Sequence, residues 1–232
     1  MTEIYAVNLD EAFEDSKFNI LLSYISMEKQ ERIHKFLKYE DALRTLMADV
    51  LIRYVLCRKL KVNNQSLIFK TNEYGKPFLS NYDGVHYNIS HSGRWVVCSV
   101  DNCPVGIDIE QIKPIDMSIA ERFFSEYEFA GLMNKSAGCR EEFFYQLWAA
   151  KESYIKAVGK GLSMPLNSFT IDIFGNSITV SSASGADNYY FRQYFIDNAY
   201  KMVVCSKNNE FPQNIIFLDM NKIYESFRDI SY

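Results

Sequence analysis

The sequence predicts an α+β protein built as a pseudo-two-fold duplication of two similar subdomains, each a small antiparallel-rich sheet packed with a long helix. Three observations carry this expectation. The chain runs helices, strands, helices, strands; a long helical stretch in each half is followed by a Gly-Lys pair, Gly75-Lys76 and Gly159-Lys160; and a turn-like break falls near Cys103. The expected halves are residues 1–103 and 104–232. A chain of 232 residues that is 48% apolar and 15% aromatic has material for a sizeable core, which excludes disorder.

An apolar strand, Ile4 to Leu9, opens the chain. Helix is expected from Ser26, a candidate N-cap, to about Leu60, because Leu43, Leu46, Met47, Val50, Leu51 and Tyr54 recur at helical spacing. The charged residues Lys29, Arg32, Lys35, Arg44 and Arg53 read as its solvated face. Short strands follow: LIFK, a turn at Asn72 to Lys76, then PFL, VHYNI and WVVCSV, and a DNCP turn into VGIDIE. The second helical region comprises FFSEYEFAGLM and EEFFYQLWAAKESYIKAV, closed by Gly159 and Gly161. FTIDIF, SITV, YYFRQYFI and KMVVCS return to strand, interrupted by the polar stretch Ser181 to Asn188.

A formal charge of −4 and a pI near 5.5 argue against a general nucleic-acid binder, so any phosphate site must be local. No stretch approaches the length of a membrane span, and the N-terminus lacks a basic-then-apolar run; a soluble, cytoplasmic protein is expected. Five cysteines, Cys57, Cys98, Cys103, Cys139 and Cys205, include no CxxC pair and read as free thiols.

Chemistry concentrates in three places. In Val105-Gly106-Ile107-Asp108-Ile109-Glu110 the acids stand at i and i+2, so a strand sends both to one face and the isoleucines to the other. Adjacent carboxylates repel, and hard oxygens on a rigid strand suit magnesium; an amphipathic strand with solvated acids is the competing account. In Trp148-Ala-Ala-Lys-Glu152-Ser-Tyr-Ile-Lys156, Glu152 and Lys156 share a helix face, as in an ordinary surface ion pair. In Asn88-Ile-Ser90-His91-Ser-Gly-Arg-Trp95, His91 occupies a turn of small polar residues, where hydrogen bonding to a phosphate or mere exposure both fit; no two of the three histidines are spaced as zinc ligands.

Taken in order, YGKP, NISHSGRW, VGIDIE, FF-S-x-x-E and LW-x-x-KES-x-x-K-x-x-GKGL resemble the Sfp-type (surfactin-synthetase-activating) 4'-phosphopantetheinyl transferases, and matching runs extend from SMEKQERI almost to the C-terminal strands. The joint occurrence of GIDIE and W-x-x-KES-x-x-K at this separation is what makes the resemblance specific. It implies a monomer of two similar halves with coenzyme A in the cleft between them. It also implies that Asp108, Glu110 and Glu152 hold Mg2+ and that His91 and Lys156 contact the pyrophosphate. Lys29, Arg32 and Arg44 fall where the family holds the nucleotide end, Arg32 standing where relatives often carry Lys. Lys76 and Pro77 match adenine-pocket positions, Ser90 lies beside the phosphates, and Glu128 is expected near the reacting centre. No acid of the central pattern is missing.

The implied reaction moves 4'-phosphopantetheine from coenzyme A to a serine of an apo peptidyl or acyl carrier protein and releases adenosine 3',5'-bisphosphate. Carriers of nonribosomal peptide, polyketide or fatty acid synthesis are the implied partners, with antibiotic-type peptide synthesis favoured. Glu152, directly or through a metal-held water, is the first choice to accept the serine proton and Glu128 the second. Gln111 to Phe124 is a candidate docking segment through Ile119, Phe123 and Phe124, flanked by Lys113 and Arg122; a core-packed helix is the alternative. The rival functions are a magnesium-dependent nucleotide pyrophosphate hydrolase and a non-catalytic coenzyme-A-binding protein.

Overall fold

The computed structural model describes residues 1–10, 13–182 and 188–229. Strand β1 (Glu3–Asn8) is followed by helices α1 (Asp15–Leu22), α2 (Met27–Ile33) and α3 (Tyr39–Leu60). Next come the hairpin β2 (Phe69–Thr71) and β3 (Pro77–Leu79), then β4 (His86–Ser92) and β5 (Trp95–Asp101). The second half repeats the plan: β6 (Val105–Gln111); α4 (Ser118–Phe123), α5 (Glu126–Met133) and α6 (Ala137–Val158); the hairpin β7 (Phe169–Phe174) and β8 (Ser177–Ser182); then β9 (Tyr190–Tyr194) and β10 (Tyr200–Ser206). Strand β11 (Ile216–Leu218) and helix α7 (Met220–Asp229) end it.

The duplication is explicit in the pairing. One sheet orders β1-β5-β4 and the other β6-β10-β9, with every one of these neighbours antiparallel. Alternation along the strands then builds three cores. Val96, Cys98 and Val100 of β5 face α3, and Val203 and Cys205 of β10 face α6. Ile4, Ala6, Val97, Val105, Ile107, Ile109, Met202 and Val204 meet between the two sheets.

The sheets are joined without a backbone ladder. Asn88 Oδ1 accepts from Ile107 N–H at 2.9 Å, Ser90 Oγ from Ile109 N–H at 3.3 Å and Ser92 Oγ from Gln111 N–H at 3.1 Å. Three short polar side chains on one face of β4 thus satisfy the outward N–H groups of β6, an edge strand whose donors would otherwise be stranded. On the opposite side β6 lies against α6, and Gly106 makes that approach possible: a Cβ there would overlap the Ser153 carbonyl oxygen and the backbone N of Ala157.

Several expectations change. The helix expected from Ser26 to Leu60 is two helices, α2 and α3, and Leu37 between them is fully exposed. The acids Glu40 and Asp41 occupy the first turn of α3, where the helix dipole favours them, so the chain restarts a helix there. FFSEYEFAGLM is likewise interrupted at Ser125, which caps α5 in a capping box with Glu128. Arg53 is no solvated residue: it is buried, donating through Nε to Asp49 Oδ2 and through Nη1 to Asn64 Oδ1, both at 2.9 Å. Helices α1 and α7 were not anticipated. Beyond the repeat, β11 pairs in parallel with β1, and Met220, Ile223 and Phe227 of α7 join the core under α3, so the chain's end packs with its first half. Of the polar stretch Ser181 to Asn188, residues 183–187 lie outside the described residues. All five cysteines are free thiols. Among the described residues no helix is long and apolar enough to cross a membrane.

Gly106→Ala is expected to lower stability by at least about 1–3 kcal/mol through overpacking against backbone. Gly138→Ala, near the start of α6 with open space at its Cβ, should be neutral or slightly stabilising. Thermal or urea unfolding of the two variants side by side checks the contrast.

Candidate active site

The seam between the halves gathers most of the chemistry. Gly106, Asp108 and Glu110 share the face of β6 that looks toward α6, which returns Glu152 and Lys156 one turn apart. Asp108 is buried. Its Oδ1 accepts from Ser90 Oγ at 2.8 Å and from Lys156 Nζ at 2.6 Å, and its Oδ2 is buried without a hydrogen-bond partner. Lys156 also donates to Ser90 Oγ at 3.1 Å and Ile107 O at 3.3 Å, so its ammonium is held at the seam rather than paired with Glu152 as a surface salt bridge.

The electrostatics show acids that crowd one another. Burial raises the Asp108 carboxyl above the usual range, with Lys156 pulling the other way. Burial and then the Asp108 charge push Glu110 up to about 7, and the same two causes raise Glu152. His91, part of which reaches the surface, is held below the ordinary histidine range by desolvation and by Arg44, Lys156 and Arg32. These three cations make the surroundings of the imidazole positive.

A cleft of about 300 Å³ opens beside these groups. Tyr74, Gly75, Lys76, Pro77 and Asn88 line it from the first half, and Glu152, Ile155, Lys156, Gly159 and Gly161 from the second. Lys76 donates from Nζ to Val105 O at 3.2 Å and Ala157 O at 3.3 Å. The second carbonyl belongs to the last turn of α6, where a cation complements the helix dipole. Burial lowers its pKa to about 8.

Asp108, Glu110, Glu152, Lys156, Ser90 and His91 are thus brought together, with Arg32 and Arg44 close enough to act on His91. Arg44 is meanwhile tied to Asp41 and to the Gly93 carbonyl, and Lys29 pairs with Asp49. Glu128 belongs elsewhere. It is buried with Lys151: Oε1 accepts from Lys151 Nζ at 2.5 Å and Ile171 N–H at 2.6 Å, and Oε2 from Ser125 N–H at 2.7 Å. Its oxygens are committed to a structural node under the Phe124 and Phe169 rings, against the expectation that it serves the reacting centre. In the segment Gln111 to Phe124, Phe124 is core, whereas Ile119 and Phe123 are half-buried and Lys113 and Arg122 exposed; the apolar spacing serves packing first.

Among the described residues no three ligating side chains already stand as a metal-holding group. The residues nevertheless fit a hard divalent cation: all donors are carboxylate oxygens, the Asp108 charge raises the pKa of both Glu110 and Glu152, and Asp108 Oδ2 is an orphaned buried acceptor. Asn88 and Ser92, absent from the sequence expectations, emerge as structural partners of β6. Their signal was the period-two run of short polar residues, Asn88, Ser90 and Ser92, facing a strand with acids at the same spacing.

Comparison with known proteins bears on the whole chain. Residues 104–205 match the family described as 4'-phosphopantetheinyl transferase superfamily, and residues 13–102 match 4'-phosphopantetheinyl transferase, N-terminal. The chain is 40% identical to the 4'-phosphopantetheinyl transferase Sfp of Bacillus subtilis (strain 168), over 95% of this chain and 99% of that one. It is 46% identical to the 4'-phosphopantetheinyl transferase gsp of Aneurinibacillus migulanus, over 74% and 72%. A crystal structure of a holo-(acyl-carrier-protein) synthase from Bacillus anthracis str. Ames in complex with CoA (3',5'-ADP) aligns at 18% identity and a TM-score of 0.37, over 45% of this chain and 94% of that one.

Lys151→Met is expected to destabilise the fold by about 3–5 kcal/mol, because it leaves Glu128 charged and unpaired in a dry site. The double variant Lys151→Met/Glu128→Gln should regain much of that loss in urea unfolding.

Proposed function

The chain belongs to the Sfp-type 4'-phosphopantetheinyl transferases, and from that premise we propose that coenzyme A is its donor, that Mg2+ is its cofactor and that the seam between the halves is where transfer occurs. The observation that carries this reading is the convergence of Asp108, Glu110 and Glu152 with Lys156 and Ser90 beside a cleft lined by both halves, with one oxygen of Asp108 buried and unsatisfied.

Asp108, Glu110 and Glu152 would hold the magnesium, which when bound supplies neutralisation of charge on the pyrophosphate. Lys156 and His91 bind phosphate oxygens, and the cationic surroundings of His91 favour an anion there. Lys29, Arg32 and Arg44 serve the nucleotide end, and Lys76 and Pro77 wall the cleft. Glu152 accepts the proton of the carrier serine as its oxygen attacks the β-phosphorus of coenzyme A and adenosine 3',5'-bisphosphate departs. The commitments of Glu128 favour Glu152 over it for this task.

The partners are apo carrier proteins, with peptidyl carriers of nonribosomal synthesis the first class to try and acyl carriers the second. Lys113 and Arg122, exposed on the segment leaving β6, suit an acidic carrier. A monomer working in the cytoplasm completes the reading.

Mass spectrometry of apo peptidyl and acyl carriers incubated with protein, coenzyme A and Mg2+ tests it. The expected result is a carrier heavier by one phosphopantetheinyl group, with Asp108→Ala and Glu152→Gln each slower by about 10²-fold or more. Release of bisphosphate without carrier modification would instead indicate hydrolysis. A second expectation follows from Glu110. Metal needs its carboxylate, and protons compete at or below about pH 7. Mg2+ affinity, measured by calorimetry, should therefore fall as pH drops through that value and level off above it.

A further inference from the structure

We propose that Ser92 is a positioning residue for Glu110, fixing which carboxylate oxygen is presented to a cation; this rests on the reading of Asp108, Glu110 and Glu152 as a metal site.

The geometry leaves the Ser92 hydroxyl little choice. Its Oγ accepts from Gln111 N–H at 3.1 Å and lies 3.1 Å from Glu110 Oε2. With the backbone N–H already on its lone pair, the hydroxyl proton is directed to the carboxylate, an acceptor-only group when ionised. Ser92 thereby occupies Oε2 and leaves Oε1 for a ligand.

Two residues earlier the same device appears. Ser90 Oγ accepts from Ile109 N–H and donates to Asp108 Oδ1, leaving Asp108 Oδ2 without a partner. Two serines at period two on β4 meet two acids at period two on β6, each hydroxyl taking one oxygen of its acid. A structural role alone would need only the bonds to the β6 N–H groups, which Asn88 supplies at Ile107 without touching an acid.

The position of Ser92 is itself held. It pairs with Trp95 across the β4–β5 turn, and Gly93 in that turn has φ +53°. A Cβ at Gly93 would collide with the Tyr200 hydroxyl and the Gln111 side chain, so the turn sits hard against the end of β6. A hydroxyl placed this rigidly restricts the Glu110 rotamer, and hydrogen-bonded supports of ligating carboxylates commonly govern metal affinity.

The test measures Mn2+ binding by electron paramagnetic resonance on the full-length protein, together with the Mg2+ dependence of transfer and the unfolding temperature. Ser92→Ala should weaken Mn2+ affinity about 10-fold and raise the half-saturating Mg2+ by a similar factor, with kcat at saturating Mg2+ within about 3-fold of wild type. Ser92→Thr, which keeps the hydroxyl, should bind Mn2+ within about 3-fold of wild type, and Ser92→Cys, a weaker donor that also guards against a folding failure of the alanine variant, should fall between. Unchanged Mn2+ affinity in Ser92→Ala or Ser92→Cys, with or without a lower unfolding temperature, would overturn the proposal. Asp108→Ala separates the two levels: if it abolishes Mn2+ binding while the Ser92 variants do not alter it, only the Ser92 inference fails, and if it too leaves binding intact, the metal-site reading fails with it.

Discussion

The join between β4 and β6 is the constraint on which the rest of the structure depends. Two three-stranded repeats could each present an unpaired edge, and an unpaired edge invites association. Here the edge of β6 is closed by side chains rather than by another backbone. Serine and asparagine suit this task because their acceptors sit close to their own backbone, which brings the strands near without requiring a continuous ladder. A continuous ladder would have merged the sheets; side-chain closure keeps two sheets with a shared apolar interior and leaves a polar seam along their meeting line.

That seam explains how three acids can be concentrated where water is scarce. Placing Asp108 in the interior costs free energy unless it is hydrogen-bonded or paired, and Ser90 and Lys156 provide that on one oxygen only. The compensation is incomplete, as the upward shifts of Asp108, Glu110 and Glu152 show. Apolar residues at these positions would relieve the crowding. The sequence instead keeps carboxylates, and the same crowding that raises Glu110 and Glu152 favours positive charge beside them. By contrast, the Glu128–Lys151 pair draws on backbone and capping partners as well as on its own ion pair, which marks it as architecture.

Much of this was legible in the residues. Period-two alternation placed Asp108 and Glu110 on one face of β6, and helical spacing placed Glu152 with Lys156; the duplicated order of elements was visible as well. What alternation could not show is what each face meets. The acid face of β6 meets α6, not solvent, because Gly106 admits the helix backbone, and nothing local to Gly106 announces a contact with Ser153. The break between α2 and α3 was hidden for a related reason: Ile33, Phe36 and Leu37 continue the helical spacing, but Leu37 ends in water. Joining Glu152 to the strand acids depended on resemblance, since residues that meet across a seam leave no spacing rule in the sequence.

The repeats are also not independent bodies, and this matters for a site built between them. Asp101, at the end of β5, is buried and accepts from Thr2 Oγ1 at 2.5 Å, from Ser206 Oγ at 3.0 Å and from Asn102 N–H at 2.7 Å, so one carboxylate ties the start of β1 to the end of β10. At the far end of the same sheets Arg94 bridges Asp10 and Asp197, and β11 with α7 carries the end of the chain back onto the first half. Each tie crosses between the halves at a different place. A pair of domains hinged at a single linker could vary the separation of Ser90 from Asp108 or of His91 from Lys156 by ångströms, and transfer chemistry tolerates far less. Fastening the seam at both ends, and along its length through β4 and β6, joins the duplicated halves into a single frame that sets groups from both repeats against one another.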